Sequence, residues 1–76
     1  KTPLSNWKAL LQDYCQKKYQ QPPIYKVTEE YGPDHKKNFV IAVMICDEEK
    51  GLGSGASKKE AQQSAAADAL SRMNKE

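Results

Sequence analysis

A chain of 76 residues has room for one domain and not for two. Twelve Lys and Arg against ten Asp and Glu give a formal net charge of +2, too small by itself to name a nucleic-acid partner, so the distribution of charge has to carry that argument. No apolar run approaches the roughly 20 residues that cross a bilayer, and neither a membrane partner nor a signal peptide is expected.

The chain opens at Lys1 rather than Met and reads as a piece of a longer protein. Residues 1–5 read as a flexible tail and 6–74 as the folded domain. Trp7, Leu10, Leu11, Tyr14 and Lys18 follow the spacing i, i+3, i+4, i+7, i+11, one apolar stripe of a helix that the Lys18 stem extends. Ser5 or Asn6 can cap its start, and the prolines of QQPP at 20–23 end it. In IYKVTEE (24–30), Tyr25 and Val27 alternate with Lys26 and Thr28, the pattern of a half-buried strand. YGPDHKKN (31–38) is a loop. FVIAVMI (39–45) is apolar on both faces, with Phe39, Ile41, Val43 and Ile45 on one and Val40, Ala42 and Met44 on the other. DEEK (47–50) reads as a polar turn and GLGSG (51–55) as a short returning strand, which with the short connections implies an antiparallel meander.

From residue 57 to about 74 the pattern is helical again. Ser57 and Glu60 form the S-x-x-E capping box, and Ala61, Ala65, Ala66, Ala69, Leu70 and Met73 supply an apolar side made mostly of alanines, which lets a helix lie close to a sheet. The order is α-β-β-β-α. Cys15 and Cys46, far apart and in apolar surroundings, read as buried, reduced thiols of a cytoplasmic protein. One histidine without a Cys/His cluster gives no zinc site, and the acidic residues show no paired arrangement for magnesium. No nucleophile–base pair is present, so no catalytic residue, cofactor or small-molecule substrate is expected.

The segment GSGASKKEA (53–61) raises a question, because Lys58 and Lys59 fall in the first turn of a helix, where the macrodipole disfavours cations. GLGSGA matches G-x-G-x-x-A, but a dinucleotide site needs a βαβ unit that this chain lacks. A P-loop fails because no glycine directly precedes Lys58. One remaining reading is structural, with Gly51, Gly53 and Gly55 permitting a tight hairpin and the lysines merely solvated. The other is a phosphate site: free amides at the helix start and two lysines await an anion, and Gly53 and Gly55 let a nucleic-acid backbone come close. Two further patches accompany it. Gln12 and Gln16, four apart on one helix face, suit sugar hydroxyls and base edges, and the loop GPDHKK (32–37) carries His35, Lys36 and Lys37. Each patch also reads as ordinary solvated surface when taken alone, and His35 has no partner for metal or base chemistry.

Taken together and in order, these segments resemble the double-stranded-RNA-binding domain over nearly the whole chain, from about Trp7 to Met73. The resemblance is carried by LLQDYCQ, PIYKV, GPDHKKNFVIAV and GLGSGASKKEAQQSAAADAL. The pairing of L-Q-x-Y-x-Q with G-P-x-H and G-x-G-x-S-K-K-x-A is most similar to the C-terminal domain of bacterial-type ribonuclease III. It implies an α+β fold: a three-stranded antiparallel sheet with both helices packed on one face. It implies shape recognition of A-form duplex over about 16 base pairs. Gln12 and Gln16 would enter one minor groove, Pro33 and His35, with Lys36 beside them, the next, and Lys58 and Lys59 would straddle the phosphates between, with Ser57 and its neighbouring amides in reach. Gln62 stands where the family often has a third lysine, a departure that should weaken phosphate binding, although a glutamine still donates a hydrogen bond. The chain is then expected to bind duplex RNA without cleaving it. Cleavage, magnesium and homodimer formation would belong to another domain of a ribonuclease III parent. The alternatives are the same domain in another RNA-binding protein, or a protein-interaction version that uses Val40, Ala42 and Met44 on the outer sheet face.

Overall fold

The computed structural model describes residues 7–73. The elements are α1 (Trp7–Tyr19), β1 (Ile24–Tyr31), β2 (Asn38–Ile45), β3 (Glu48–Gly55) and α2 (Lys58–Met73). The strands form one antiparallel sheet in the order β1-β2-β3. The expected tail 1–5, the cap at Ser5 or Asn6 and the last position of the 6–74 domain lie outside the described residues.

The core is a single cluster. Ile41, Val43 and Ile45 of β2 meet Leu11 and Cys15 of α1 and Ala61, Ala65, Ala66, Ala69 and Met73 of α2. Because all three β2 residues share one pleat face and both helices contribute to the same cluster, both helices cover that face. On α1 the buried line is Leu11–Cys15, flanked by Trp7, Tyr14 and Tyr19. The expected stripe is therefore off by part of a turn: Leu10 is 47% exposed, and Lys18 is a surface residue whose ammonium lies 5.4 and 5.6 Å from the ring centroids of Tyr14 and Tyr19. The helix ends on Gln20, whose positive φ of 56° marks a left-handed cap and whose N–H donates to Gln16 O at 3.1 Å.

Two expectations for the strands need correction. Tyr25 is half-buried, but Val27 is 42% exposed, because β1 is an edge strand and its register slips at a bulge between Val27 and Glu29. The β2–β3 connection is also tighter than a turn over 47–50. Cys46 and Asp47, with φ of 53° and 67°, form a two-residue hairpin loop, and Glu48–Lys50 already belong to β3. Positive φ at both central positions is the signature of a type I′ turn. It also places Cys46 on the surface, so only Cys15 of the two thiols is buried. On the outer face Ala42 is buried between its register partners Lys26 and Leu52, and Val40 and Met44 are half-buried.

The packing of α2 on β3 leaves no room for a Cβ between them. Gly51, Gly53 and Gly55 take alternate, inward-facing positions of β3, opposite Val43, Ile41 and Phe39. A Cβ on Gly53 would overlap the backbone of Ser64 and Ala65. These glycines are therefore occupied by the helix. They neither form the hairpin nor leave room for a nucleic-acid backbone, as the sequence had allowed. The alanines of α2 are their counterparts.

Tyr25 reaches under α1, and its hydroxyl is buried without a hydrogen-bond partner among the described residues. Burial, and secondarily the neighbouring Cys15, push its pKa up to about 12, against about 10 for a free tyrosine. A raised acid pKa means that the neutral form is the folded form. Its contribution to stability is complete below pH 10 and is lost as pH rises through 12. Thermal melts should fall across that window, and Tyr25→Phe should flatten the fall. Identical alkaline profiles for the two proteins would show that another group drives it.

Candidate nucleic-acid interface

The start of α2 is built by its caps. Ser57 Oγ accepts from the Glu60 N–H at 3.2 Å, and Glu60 Oε1 accepts from the Ala56 N–H at 3.2 Å. The expected capping box forms, with the glutamate reaching one residue further back than the N-cap. This has an electrostatic consequence. Glu60, the acid of the first turn, is turned onto backbone, and it is not in an ion pair with Lys58 or Lys59. The Lys58 and Lys59 amides have no partner within the helix. Lys58 Nζ sits 5.8 Å from the Phe39 ring centroid, which leans it toward the β1–β2 loop. Lys59 is exposed.

That loop is fixed by its own backbone. Gly32 has φ of 99°, and a Cβ there would meet Lys36 O at 2.5 Å, so both conformation and space demand glycine. Pro33 is extended and accepts the Lys36 N–H at 2.8 Å, closing a 3-10 turn over Asp34–Lys36. Pro33, His35 and Lys36 are all exposed. The loop and Ala56, two residues before α2, border one depression of about 660 Å³, lined by Asp34 to Phe39 and by Ala56.

Gln12 and Gln16 are exposed on α1, as their spacing requires. Among the described residues no hydrogen bond joins them to the loop or to the lysine pair. Their connection to α2 runs through a residue that the sequence did not single out. Lys8 Nζ donates to Gln62 Oε1 at 2.6 Å, and the Lys8 N–H donates to Gln63 Oε1 at 3.1 Å. Gln62 is thus half-buried and engaged as an acceptor. The signal was the spacing of Lys8, Gln12 and Gln16 at i, i+4 and i+8.

The ion pairs sort the surface. Among the described residues they join Lys17 to Asp13, Lys37 to Glu30, Lys50 to Glu48 and Arg72 to Asp68. None involves Lys8, Lys36, Lys58 or Lys59. Among the described residues, Lys8, Lys36, Lys58 and Lys59 thus have no carboxylate partner, and two helix N-termini add partial positive charge there. Such a surface attracts a polyanion. Among the described residues no group of three or more His, Cys, Asp and Glu is placed to hold a metal ion, and no helix is long and apolar enough to cross a membrane.

Comparison with known proteins identifies the family and agrees with the fold. Residues 7–73 match the family described as double-stranded RNA binding motif. Ribonuclease 3 of Protochlamydia amoebophila is 71% identical over 72 residues, which is 95% of this chain and 30% of that protein. Ribonuclease 3 of Natranaerobius thermophilus is 44% identical over 72 residues, again 95% of this chain and 31% of that protein. The chain thus spans under a third of the length of these relatives. Among solved structures, Arabidopsis HYL1 superposes with a TM-score of 0.77 at 34% identity, covering 90% of this chain and 96% of that one. Dicer from Pichia stipitis gives 0.74 at 28% identity, over 93% of this chain and 34% of that one.

Proposed function

This chain belongs to the double-stranded RNA binding motif family, a binding domain for duplex RNA, and from that membership we propose that it serves as the substrate-binding domain of a ribonuclease III. The identity to just under a third of the length of two ribonucleases 3 supports the parent. Cleavage would reside in the rest of that protein, together with its magnesium and its dimerisation. Two domains in one dimeric parent would raise avidity without any new contact. A reducing compartment, the cytoplasm, suits the two unpaired cysteines.

The observation that carries the binding mode is the set of cations without carboxylate partners beside exposed glutamines. In this reading Lys58, Lys59, Ser57 and the first-turn amides of α2 take phosphates across a major groove. Gln12 and Gln16 reach 2′-hydroxyls in one flanking minor groove, and Pro33, His35 and Lys36 enter the other. Shape, more than base sequence, would select the ligand. The deciding experiment titrates the domain with dsRNA, dsDNA, an RNA–DNA hybrid and single-stranded RNA of equal length at two salt concentrations. Tight, salt-sensitive binding to dsRNA alone is expected. Equal affinity for all four, or none, would sink the reading. It would turn attention to the outer sheet face, where Leu52 and Ile24 are 43% and 56% exposed around Ala42.

Gln12 separates ribose from phosphate recognition. Gln12→Ala should reduce the preference for RNA over DNA while leaving the salt slope unchanged, because a neutral side chain releases no counterion. Equal proportional losses on the two duplexes would remove Gln12 from the 2′-hydroxyl contacts.

A further inference from the structure

We propose that Lys8 is a phosphate-binding residue of the duplex interface and that Gln62 is the residue that holds it in place. The proposal deepens the dsRNA-binding reading above and rests on it. Its basis is how the Lys8 ammonium is held. An ammonium has three donors. One goes to Gln62 Oε1 at 2.6 Å, and the Tyr25 ring lies below, 5.4 Å away at its centroid. Both partners are neutral. Among the described residues Lys8 has no ion pair, although it is half-buried. A partly desolvated cation ordinarily gains from an acid beside it. Here the neighbouring side chain is an amide, which fixes the ammonium without cancelling its charge. An anion arriving from solvent would supply the missing compensation through the remaining donors.

The position fits that role. Lys8 lies on the α1 line that continues through Gln12 and Gln16, at the N-terminal end, where hydrogen bonds tie the helix to Gln62 and Gln63 of α2. Gln62, its partner, is one turn after Lys58 on α2. The Lys8–Gln62 pair therefore stands where the glutamine patch and the lysine pair meet, and it joins them into one surface. Gln62 then adds charge to the interface indirectly, by orienting a cation that comes from the other helix. A carboxylate at position 62 would hold Lys8 as firmly and would neutralise it.

Alternatively Lys8 only staples α1 to α2. The two roles separate by salt dependence. The unmodified domain, Lys8→Met, Lys8→Arg, Gln62→Glu and Lys59→Ala are titrated with one 20-base-pair dsRNA over a range of salt, with a thermal melt of each. If Lys8 meets one phosphate, Lys8→Met lowers the slope of log K against log salt by about 0.9, which corresponds to about eightfold weaker binding at 0.1 M salt relative to 1 M. Lys8→Arg keeps the slope. Gln62→Glu lowers it as Lys8→Met does, without a lower melting temperature. A staple would give a lower melting temperature for Lys8→Met, with the slope unchanged among folded molecules. That result overturns the proposal. An unchanged slope for Gln62→Glu overturns the part assigned to Gln62, even if Lys8→Met fails to fold. Lys59→Ala tells the two levels apart. If it flattens the slope while the Lys8 and Gln62 variants do not, the interface stands and Lys8 is outside it. If the unmodified domain does not bind the duplex, both readings fall.

Discussion

Gly53→Ala should lower the melting temperature of this domain by about 12 to 24 °C, and Gly53→Val should leave it unfolded at room temperature. The cause is one missing atom. A Cβ on Gly53 would lie 2.5 Å from Ser64 C and 2.7 Å from Ala65 Cα, and nearer still to the Ala65 amide. These are helix backbone atoms, so no rotamer change relieves the overlap. All of α2 must move away from β3. It carries Ala61, Ala65 and Ala69 with it, and alanine has no length with which to refill the gap. Overpacking of this kind costs about 1–3 kcal/mol and sometimes more. A domain under about 80 residues rarely has more than about 3–5 kcal/mol in total. At about 4–8 °C per kcal/mol, the upper end of that cost gives the stated shift. Ser54→Ala, one residue on and exposed on the opposite face, should change stability by less than about 0.5 kcal/mol. A Gly53→Ala protein that melts within a few degrees of the parent would show that α2 can ride higher on the sheet than its alanines permit.

The same glycines show what the sequence made legible and what it hid. Element types and order followed from periodicity and from punctuation by proline and glycine, because those patterns are local. The capping box located the start of α2 for the same reason. A glycine, by contrast, says only that a side chain is intolerable on some side, and the offending neighbour lies elsewhere in the chain. Gly51, Gly53 and Gly55 alternate with Leu52 and Ser54, the period of a strand with one bare face. Ala61, Ala65 and Ala69 recur every four residues, the period of a helix with one bare face. Each pattern is readable alone, and their interlock becomes visible only when the two are set against each other. Cys46 was misplaced for a related reason: a two-residue turn built from Cys-Asp lacks the Asn-Gly or Asp-Gly signal that marks type I′ loops. Lys8 was passed over because its hydrogen-bond partners are more than 50 positions away. At the candidate interface, Gln12, Gln16, Pro33, His35, Lys36, Ser57, Lys58 and Lys59 are exposed, whereas Gln62 is half-buried and held by Lys8. The bridge between them, through Gln62, did not follow from any local pattern.

Lys58→Ala/Lys59→Ala should separate binding from stability by moving them in opposite directions. Each lysine that neutralises a phosphate contributes about 0.9 to the salt slope. Losing both should flatten it by about 1.8 and weaken dsRNA binding about 60-fold at 0.1 M salt relative to 1 M. The fold should not suffer. Two cations at a helix N-terminus oppose the macrodipole at about 0.3–1 kcal/mol each when exposed, and Glu60, which could offset them, is turned onto the Ala56 amide. Removing Lys59, which has no compensating contact among those described, should raise the melting temperature by a few degrees. Removing Lys58 should leave it nearly unchanged, because the stacking of its ammonium on Phe39 contributes about as much as the dipole takes away. A double variant that binds more weakly and melts higher would mean that the first turn of α2 is strained in the free domain and relieved by the ligand. A double variant that loses stability along with affinity would instead make the lysines part of the scaffold. Unchanged affinity and slope would take the start of α2 out of the interface altogether. The placement of both lysines at the positive end of a helix, with the acid of its first turn turned onto backbone, makes the first outcome the expected one.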